Sequence, residues 1–72
     1  MTDLATDIAG RVLTVRKAPG DTVRAGEAVI VVEAMKMEIA ILAEHDGVID
    51  AVLVRVDEMI DEDRIIARIR PA

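Results

Sequence analysis

The chain has no cysteine and no aromatic residue, and it also lacks serine, asparagine and glutamine. The usual hydroxyl and thiol nucleophiles are therefore almost all missing, as are the side-chain amides of oxyanion holes. Without cysteine there is no disulfide framework and no thiolate metal site. A single histidine, His45, stands between the acids Glu44 and Asp46. We therefore expect no catalytic residue, no metal ligand and no self-contained hydrolase or transferase.

The length of the chain, 72 residues, allows one small domain spanning residues 1–72. A core of this size buries only about 60% of the surface that the unfolded chain exposes, so the expected stability is modest. Hydrophobic residues make up 53% of the sequence and none is aromatic. Packing of Val, Ile, Leu, Ala and Met side chains must therefore supply the whole core.

Basic residues are scarce: nine stand against 14 acids, and the net charge is −5. Nucleic-acid binding requires a basic stripe, and none is present. No apolar run approaches the ~20 residues of a membrane-spanning helix, and the acidic start has no signal-peptide pattern. We expect a cytoplasmic protein that binds neither nucleic acid nor membrane.

A repeat runs through the chain at a spacing of 37 residues. The matched positions are mostly conservative and keep their order in both halves. They are Gly10 with Gly47, Val12 with Ile49, Val15 with Val52, Asp21 with Glu58, Val23 with Ile60, Val29 with Ile66, and Val32 with Ile69. The order of these matches predicts two similar halves, neither of which can bury its apolar face alone.

Each half has the pattern of short strands separated by turns. Strand patterns cover residues 12–15, 28–32, 48–56 and 65–69, and Ala18-Pro19-Gly20-Asp21 is a strong turn signal. Short strands with frequent turns are typical of an all-β sandwich or flattened barrel.

The segment from Val29 to Leu42 allows two interpretations. Met, Glu, Lys, Ala and Leu favour helix, so its middle could form a helical turn. The β-branched residues on both sides favour two strands joined by a hairpin. With the turn at residues 35 and 36, the hairpin brings apolar residues opposite one another down to Val29 and Leu42.

The residues at this turn conflict with local preferences. Two-residue hairpin turns favour types that need positive φ, usually supplied by Asn or Gly, whereas this chain has Met35 and Lys36. The carboxylates of Glu33 and Glu38 would also face each other, which destabilises a strand pair. Several local rules that fail at one point indicate a functional site.

The string Glu33-Ala34-Met35-Lys36-Met37 resembles the attachment site of biotinyl domains in biotin-dependent carboxylases. Gly20-Asp21-Thr22-Val23-Arg24-Ala25-Gly26 resembles the Gly-Asp-x-Val-x-x-Gly turn of the same family, and Glu44-His45-Asp46-Gly47 contains its Asp-Gly. The resemblance covers about residues 5–70 and is strongest to small stand-alone biotin carboxyl carrier proteins. It implies a flattened eight-stranded barrel of two quasi-symmetric halves, with the hairpin at one end and the termini at the other.

The resemblance also implies the function. Lys36 would carry biotin covalently, attached by a separate biotin protein ligase. Met35 and Met37, with Ala34 and Glu33, would serve recognition by the ligase or by the carboxylase components. The chain would be a carrier subunit without an active site of its own, shuttling a carboxyl group from a biotin carboxylase to a carboxyltransferase.

Two departures from the family pattern affect the turns. Asp57 and Asp63 stand where the family often has glycine, and Asp7-Ile8-Ala9-Gly10 lies where a proline is common. No segment resembles the protruding thumb of some acetyl-CoA carboxylase carriers. These differences concern turn geometry and do not touch Lys36.

Three alternatives stay open. Lipoyl carriers share the fold and the hairpin lysine, but they usually have Asp before the lysine and Ala after it. An unmodified hairpin adaptor domain would give the methionine-flanked lysine no purpose. An enzyme that used His45 would need a pocket that so small an aliphatic domain can hardly form. Lys17, the other lysine, is predicted to be a solvated strand-end residue.

Overall fold

Short strands rich in β-branched residues make up the regular structure of the chain. The computed structural model describes residues 1–72 and contains no helix. The eight strands are β1 (Thr2–Ala5), β2 (Gly10–Val15), β3 (Thr22–Val23), β4 (Ala28–Ala34), β5 (Met37–Leu42), β6 (Gly47–Val52), β7 (Met59–Ile60) and β8 (Ile65–Arg70). The predicted all-β class is confirmed, and the helical interpretation of the middle segment is wrong. No segment has the helix length and apolarity needed to cross a membrane.

The strands form two antiparallel four-stranded sheets. The strand order is β1-β8-β6-β3 in one sheet and β5-β4-β2-β7 in the other. The long strands β4 and β8 lie inside their sheets, and the two-residue strands β3 and β7 lie at edges. Short edge strands leave few unpaired backbone groups, which limits edge-to-edge pairing with other chains. The arrangement matches the predicted flattened barrel or sandwich of two halves.

One aliphatic core lies between the two sheets. Buried and more exposed positions alternate along parts of β6 and β8, whereas the central strand β4 has four consecutive buried residues from Val29 to Val32. The largest fully buried side chains are Ile30, Ile49, Ile66, Ile69, Val12, Val29 and Val32, each less than 2% exposed. Branched side chains such as these fill a pleated, half-buried surface well, so the absence of aromatic residues leaves the core closed.

The 37-residue repeat is also present in the backbone. Adding 37 to a residue number carries β1 to β5, β2 to β6, β3 to β7 and β4 to β8. The 14 backbone hydrogen bonds outside the strand ladders also fall into seven matched pairs under this shift. For example, Arg16 N donates to Val29 O over 2.8 Å, and Leu53 N donates to Ile66 O over 2.8 Å. The predicted repeat is therefore confirmed down to single hydrogen bonds.

Two features of the strands differ from the sequence prediction. The strand predicted over residues 48–56 ends at Val52, because the amide of Leu53 turns to Ile66 of β8 instead of continuing the ladder. The first strand, β1, has no alternating apolar pattern, and only Leu4 of its four residues is buried. Its partner β8 determines that it forms a strand, through pairs such as Thr2 with Ile69.

Asp57 and Asp63 occupy the turns at which the first half has glycine. Their φ angles are 73° and 66°, and those of the equivalent Gly20 and Gly26 are 94° and 87°. Positive φ is a region that residues with a Cβ adopt at a cost of about 1–2 kcal/mol, somewhat less for Asp. The second half therefore contains strain that the first half lacks.

We expect Asp63→Gly to stabilise the domain by about 0.5–1 kcal/mol, because relief of the backbone strain exceeds the added entropy of glycine in the unfolded chain. A change of 1 kcal/mol corresponds to about 4–8 °C in the melting temperature of a domain this small. Asp63→Ala removes the same charge but keeps the Cβ, so it serves as the control and should not stabilise. Equal melting temperatures for the two variants would show that charge, and not φ, determines the effect.

Candidate functional site

The hairpin between β4 and β5 has the two-residue turn that the sequence predicts. Met35 has φ 52° and Lys36 has φ 65°, and Ala34 pairs with Met37 on either side of the turn. Two consecutive positive φ angles define the type I′ turn, whose twist matches that of antiparallel strands. Neither residue is Asn, Asp or Gly, so the tip contains backbone strain, which concentrates at functional sites.

The register of the hairpin holds the strained tip in position. Below the turn, Glu33 pairs with Glu38 and Val32 pairs with Ile39, as predicted. The expected pairing of Val29 with Leu42 is wrong, because the register shifts between Ala28 and Ile30 and Leu42 pairs with Ala28. The shift occurs seven residues below the tip and leaves the turn unchanged.

The three residues around the tip are exposed. Met35 is 94% exposed and Met37 is 64% exposed; Lys36 between them is also exposed and takes part in no ion pair. An unpaired amine with open surroundings can be reached by an enzyme. Two large apolar side chains in water gain nothing for the fold, so core filling does not explain these methionines.

Beneath the tip, Arg11 neutralises part of the acidic pair. Glu33 and Glu38 lie opposite each other, and like charges in that arrangement destabilise a sheet. The Arg11 guanidinium lies 3.3 Å from the Glu33 carboxylate and 3.0 Å from that of Asp57. Arg11 thereby links β4 to the turn that precedes β7. The same ion pair engages one oxygen of the Glu33 carboxylate. All of these side chains are substantially exposed, so each ion pair contributes at most about 1 kcal/mol.

Ala34 differs from the other predicted site residues because it is only 8% exposed. It ends β4 on the core side of the sheet and faces Met37 across the hairpin. A larger side chain would have to displace neighbours in a packed interior. Of the five predicted residues, four are therefore accessible at the tip and Ala34 lies beneath it.

The second lysine lies in a different environment. The Lys17 ammonium donates to Thr22 O over 3.2 Å and to the Glu27 carboxylate over 3.0 Å, and its side chain is only 18% exposed. The pKa of the Glu27 carboxyl is lowered by the backbone N–H of Arg24 first and by Lys17 second. Lys17 is thus held by contacts and is not the freely solvated residue that the sequence suggested.

His45 lies in the turn between β5 and β6. Its Nδ1 is 2.8 Å from the backbone oxygen of Asp46, while its Nε2 is buried without a hydrogen-bond partner. The position corresponds to Ile8 of the first half, which packs against the core. No group of three His, Cys, Asp or Glu side chains comes close enough together to hold a metal ion. His45 is a loop residue, as predicted.

The sequence analysis missed Arg11 and Asp57 as parts of the hairpin end of the molecule. Arg11 comes beside Glu33 through the β2–β4 register, which no local pattern specifies.

This geometry defines a class of protein. A two-fold β-sandwich presents one unpaired lysine at the tip of an exposed hairpin. Such an arrangement suits a carrier that holds a cofactor by a covalent bond and presents it to other active sites.

Comparison with known proteins identifies the kind of carrier. The family model described as biotin-requiring enzyme matches residues 1–69. The chain is 36% identical over 65 residues to the biotinylated protein TB7.3 homolog of Mycobacterium leprae, covering 90% of this chain and 92% of that protein. It is 39% identical over 61 residues to the alpha3 subunit of a biotin-dependent acyl-coenzyme A carboxylase of the same organism, covering 85% of this chain.

Two solved structures show the same fold. Kluyveromyces lactis urea carboxylase superimposes with a TM-score of 0.91 at 32% identity over 96% of this chain. A single-chain, multi-domain long-chain acyl-CoA carboxylase superimposes with a TM-score of 0.83 at 28% identity, also over 96%. The chain spans 6% and 7% of these two structures and 10% of the acyl-coenzyme A carboxylase subunit.

The chain belongs to the biotin-requiring enzyme family. It is a biotin carboxyl carrier domain, and covalently attached biotin is its cofactor. The predicted biotin carrier is thereby confirmed over the lipoyl alternative.

Proposed function

We propose that Lys36 is the residue that carries biotin and that the chain moves a carboxyl group between two enzyme active sites. The observation that carries this proposal is the exposure of Lys36, without an ion pair, at the tip of a strained two-residue turn. The residues fit the cofactor, because an amide on this nitrogen needs an accessible amine and no surrounding pocket.

Lys36 acts as a nucleophile during attachment. Its ammonium group loses a proton, the amine attacks the carbonyl of an activated biotin carboxyl group, and the activating group leaves as the amide forms. The positive charge of Lys36 disappears in this step, which raises the net negative charge of the chain by one. A biotin protein ligase would bind the hairpin and activate the carboxyl group.

When bound, biotin supplies a ring nitrogen that accepts and releases a carboxyl group. The chain contributes the tether. A lysine fixed at the tip of a hairpin keeps the cofactor within reach of a docked partner, so each encounter becomes effectively intramolecular. The β4–β5 register prevents the tip from folding back, because Val32, one pair below the two glutamates, is fully buried.

The flanking residues divide into two roles in this proposal. Met35 and Met37 provide adaptable apolar contact for partners, since flexible thioether side chains accommodate different surfaces. Glu33 provides a negative charge near the tip, which Arg11 holds in place. Ala34 positions the turn from beneath, because its small side chain lets β4 end against the core.

The proposed partners are a biotin protein ligase, a biotin carboxylase and a carboxyltransferase. Relatives that include this domain are themselves named as carboxylases, which supports the two carboxylase components. Residues 1–72 would form a single biotinyl domain that acts as a carrier subunit of such a complex, in the cytoplasm.

The test is incubation of the purified chain with biotin, ATP and a biotin protein ligase, followed by intact mass spectrometry and peptide mapping. The expected result is a gain of one biotin per chain, located on Lys36. If the chain gains no biotin from a ligase that modifies another carrier, the proposal is contradicted. A gain of mass with lipoate and a lipoate ligase would instead assign lipoate as the cofactor.

Met35→Ala and Met37→Ala should slow biotinylation or carboxyl transfer without loss of fold. The physical reason is their exposure of 94% and 64%, since substitutions at exposed positions change stability by no more than about 0.5 kcal/mol. Thermal melting checks that the fold is kept, and the initial rate of biotin incorporation checks that modification is slower.

Ile39→Ala is the matched control for these two substitutions. Ile39 lies on the same hairpin and packs against the core. Its replacement by alanine should lower the free energy of unfolding by about 2 kcal/mol or more. A comparable loss of melting temperature for either methionine variant would show that the methionines are core residues, and the recognition role would be withdrawn.

A further inference from the structure

Three exposed apolar side chains on one segment break the symmetry between the halves. Leu53, Val56 and Met59 are 38%, 51% and 70% exposed. Subtracting 37 gives the equivalent positions of the first half, which hold Arg16, Pro19 and Thr22, all exposed.

The fold does not require apolar residues at these places. Arg16 and Leu53 donate the same backbone hydrogen bond, each 2.8 Å long, to the equivalent residues Val29 and Ile66. The first half thus builds the same turn with a charged residue at this position. At two of the three positions the first half has a charged or polar residue, Arg16 for Leu53 and Thr22 for Met59. Large apolar side chains kept in water at such positions indicate an interaction surface.

Two of the three side chains line a groove. Its volume is 520 Å³, and Leu53 and Val56 lie in it among the charged residues Arg55, Asp57, Glu58 and Arg64. Arg64 is engaged within the groove, since it pairs with Glu58 over 3.0 Å and donates to Leu53 O over 3.1 Å. Apolar side chains set among charged ones are a composition found in protein-binding patches. We call the segment Leu53–Met59 the flank surface.

The Met59 end of the flank surface lies near the lysine hairpin. Met59 pairs with Arg11, and Arg11 pairs with Glu33, so two strand spacings of about 4.8 Å separate Met59 from β4. Lys36 follows Glu33 by three residues, or about 10 Å along the strand. Met59 and Lys36 are therefore roughly 14 Å apart, well inside a protein interface of about 800 Å² per partner. Asp57, bonded to Arg11, joins them.

We propose that the flank surface is a docking surface for the biotin protein ligase; this inference rests on the assignment of Lys36 as the biotin site. The ligase forms a bond to the lysine nitrogen itself, so its active site must reach the hairpin tip and its surface must cover the residues around that tip. Enzymes that act on the far end of the attached biotin are separated from the hairpin by the flexible arm of lysine and biotin, and they need not contact these residues. The ligase is thus the partner with the closest approach.

The chemistry of the partner surface follows from the residues present. Opposite Leu53, Val56 and Met59 it has an apolar centre. Opposite Glu38, which takes part in no ion pair within the chain, it has a basic side chain. The apolar contacts hold the complex, whereas the charges mainly raise the association rate and select orientation.

The test uses the double variant Val56→Thr/Met59→Thr, in which the apolar side chains become the type that the first half has at Thr22. Leu42→Thr is the matched control, because Leu42 is 46% exposed but lies at the opposite end of the hairpin, paired with Ala28. For the double variant we expect kcat/KM for biotinylation to fall about tenfold, through KM, with an unchanged melting temperature. Leu42→Thr and the conservative Met59→Leu should keep the wild-type value.

Unchanged kcat/KM in the folded double variant, beside normal modification of the wild type, would overturn the docking surface and leave Lys36 as the biotin site. A defect found only in carboxyl transfer to an acceptor would also overturn it, and would assign the surface to a carboxylase component. Concentration-dependent dimerisation of the wild type that the double variant loses would assign the surface to a second copy of the chain instead. Absence of biotin on the wild type, in contrast, would contradict the proposed function itself.

Discussion

Lys36→Arg is expected to abolish biotinylation completely while the fold stays intact. Arginine keeps the positive charge and the length of the side chain, but its guanidinium group is always protonated and cannot act as the acylated amine. Lys36 makes no ion pair in the structure, so its replacement removes no stabilising contact. Intact mass after exhaustive treatment with ligase should show no added biotin, and the melting temperature should match that of the wild type.

Lys17→Arg is the matched control, because Lys17 is the one other lysine of the chain. Lys17 already bonds to Thr22 and Glu27 and lies largely out of reach, with 18% of its side chain exposed. This variant should take up one biotin as the wild type does. Biotin found on Lys17, or on the amino terminus of the Lys36→Arg variant at a comparable rate, would mean that the hairpin does not direct the modification.

The overall fold could be predicted because the two halves of the chain repeat the same sequence pattern. A single half gives weak strand signals, but two halves with the same order of apolar residues and turns reinforce each other. The eight-stranded arrangement and the hairpin register around Lys36 follow from that pattern. The positive φ of Asp57 and Asp63 could also be anticipated, since they align with glycines of the first half.

Features that depend on packing between strands could not be predicted. The register shift between Ala28 and Ile30 moves the pairing of Leu42 by one residue, and bulges of this kind leave no local pattern. The strand predicted over residues 48–56 was too long, because apolar residues exposed for another reason, such as Val56, resemble a continuing strand. The end of β6 is set by a hydrogen bond to β8, which is remote in sequence.

The hairpin tip was found from the sequence for the opposite reason, since it violates local rules. Met35 and Lys36 take a conformation that suits Asn-Gly, and two glutamates face each other directly below. A natural sequence is locally consistent except where function overrides stability. Arg11 was not found, because its compensation of Glu33 acts across strands that no sequence pattern brings together.

Gly10→Ala and Gly47→Ala are each expected to destabilise the domain by about 3 kcal/mol or more. A Cβ on Gly10 would collide with the carbonyl oxygen of Glu33 and lie 2.7 Å from Val32 Cγ1. A Cβ on Gly47 would collide in the same way with Arg70 O and lie 2.6 Å from Ile69 Cγ2. The total stability of 72 residues is roughly 4–11 kcal/mol, so either substitution removes a large share of it. Urea unfolding followed by circular dichroism measures the loss.

Gly20→Ala separates the two reasons for which a glycine can be required. Gly20 has φ 94° and nothing within 4 Å of an added Cβ, so alanine there meets only backbone strain, about 1–2 kcal/mol. The clash at Gly10 or Gly47 involves the neighbouring strand itself, which cannot move without breaking ladder hydrogen bonds.

Because Gly10 lies beside the end of β4, its substitution should also disturb the lysine hairpin, whereas Gly47 lies at the opposite end. Biotinylation of whatever fraction stays folded should therefore slow in Gly10→Ala and stay normal in Gly47→Ala; equal rates would show that the hairpin tip is insulated from the strand that supports it.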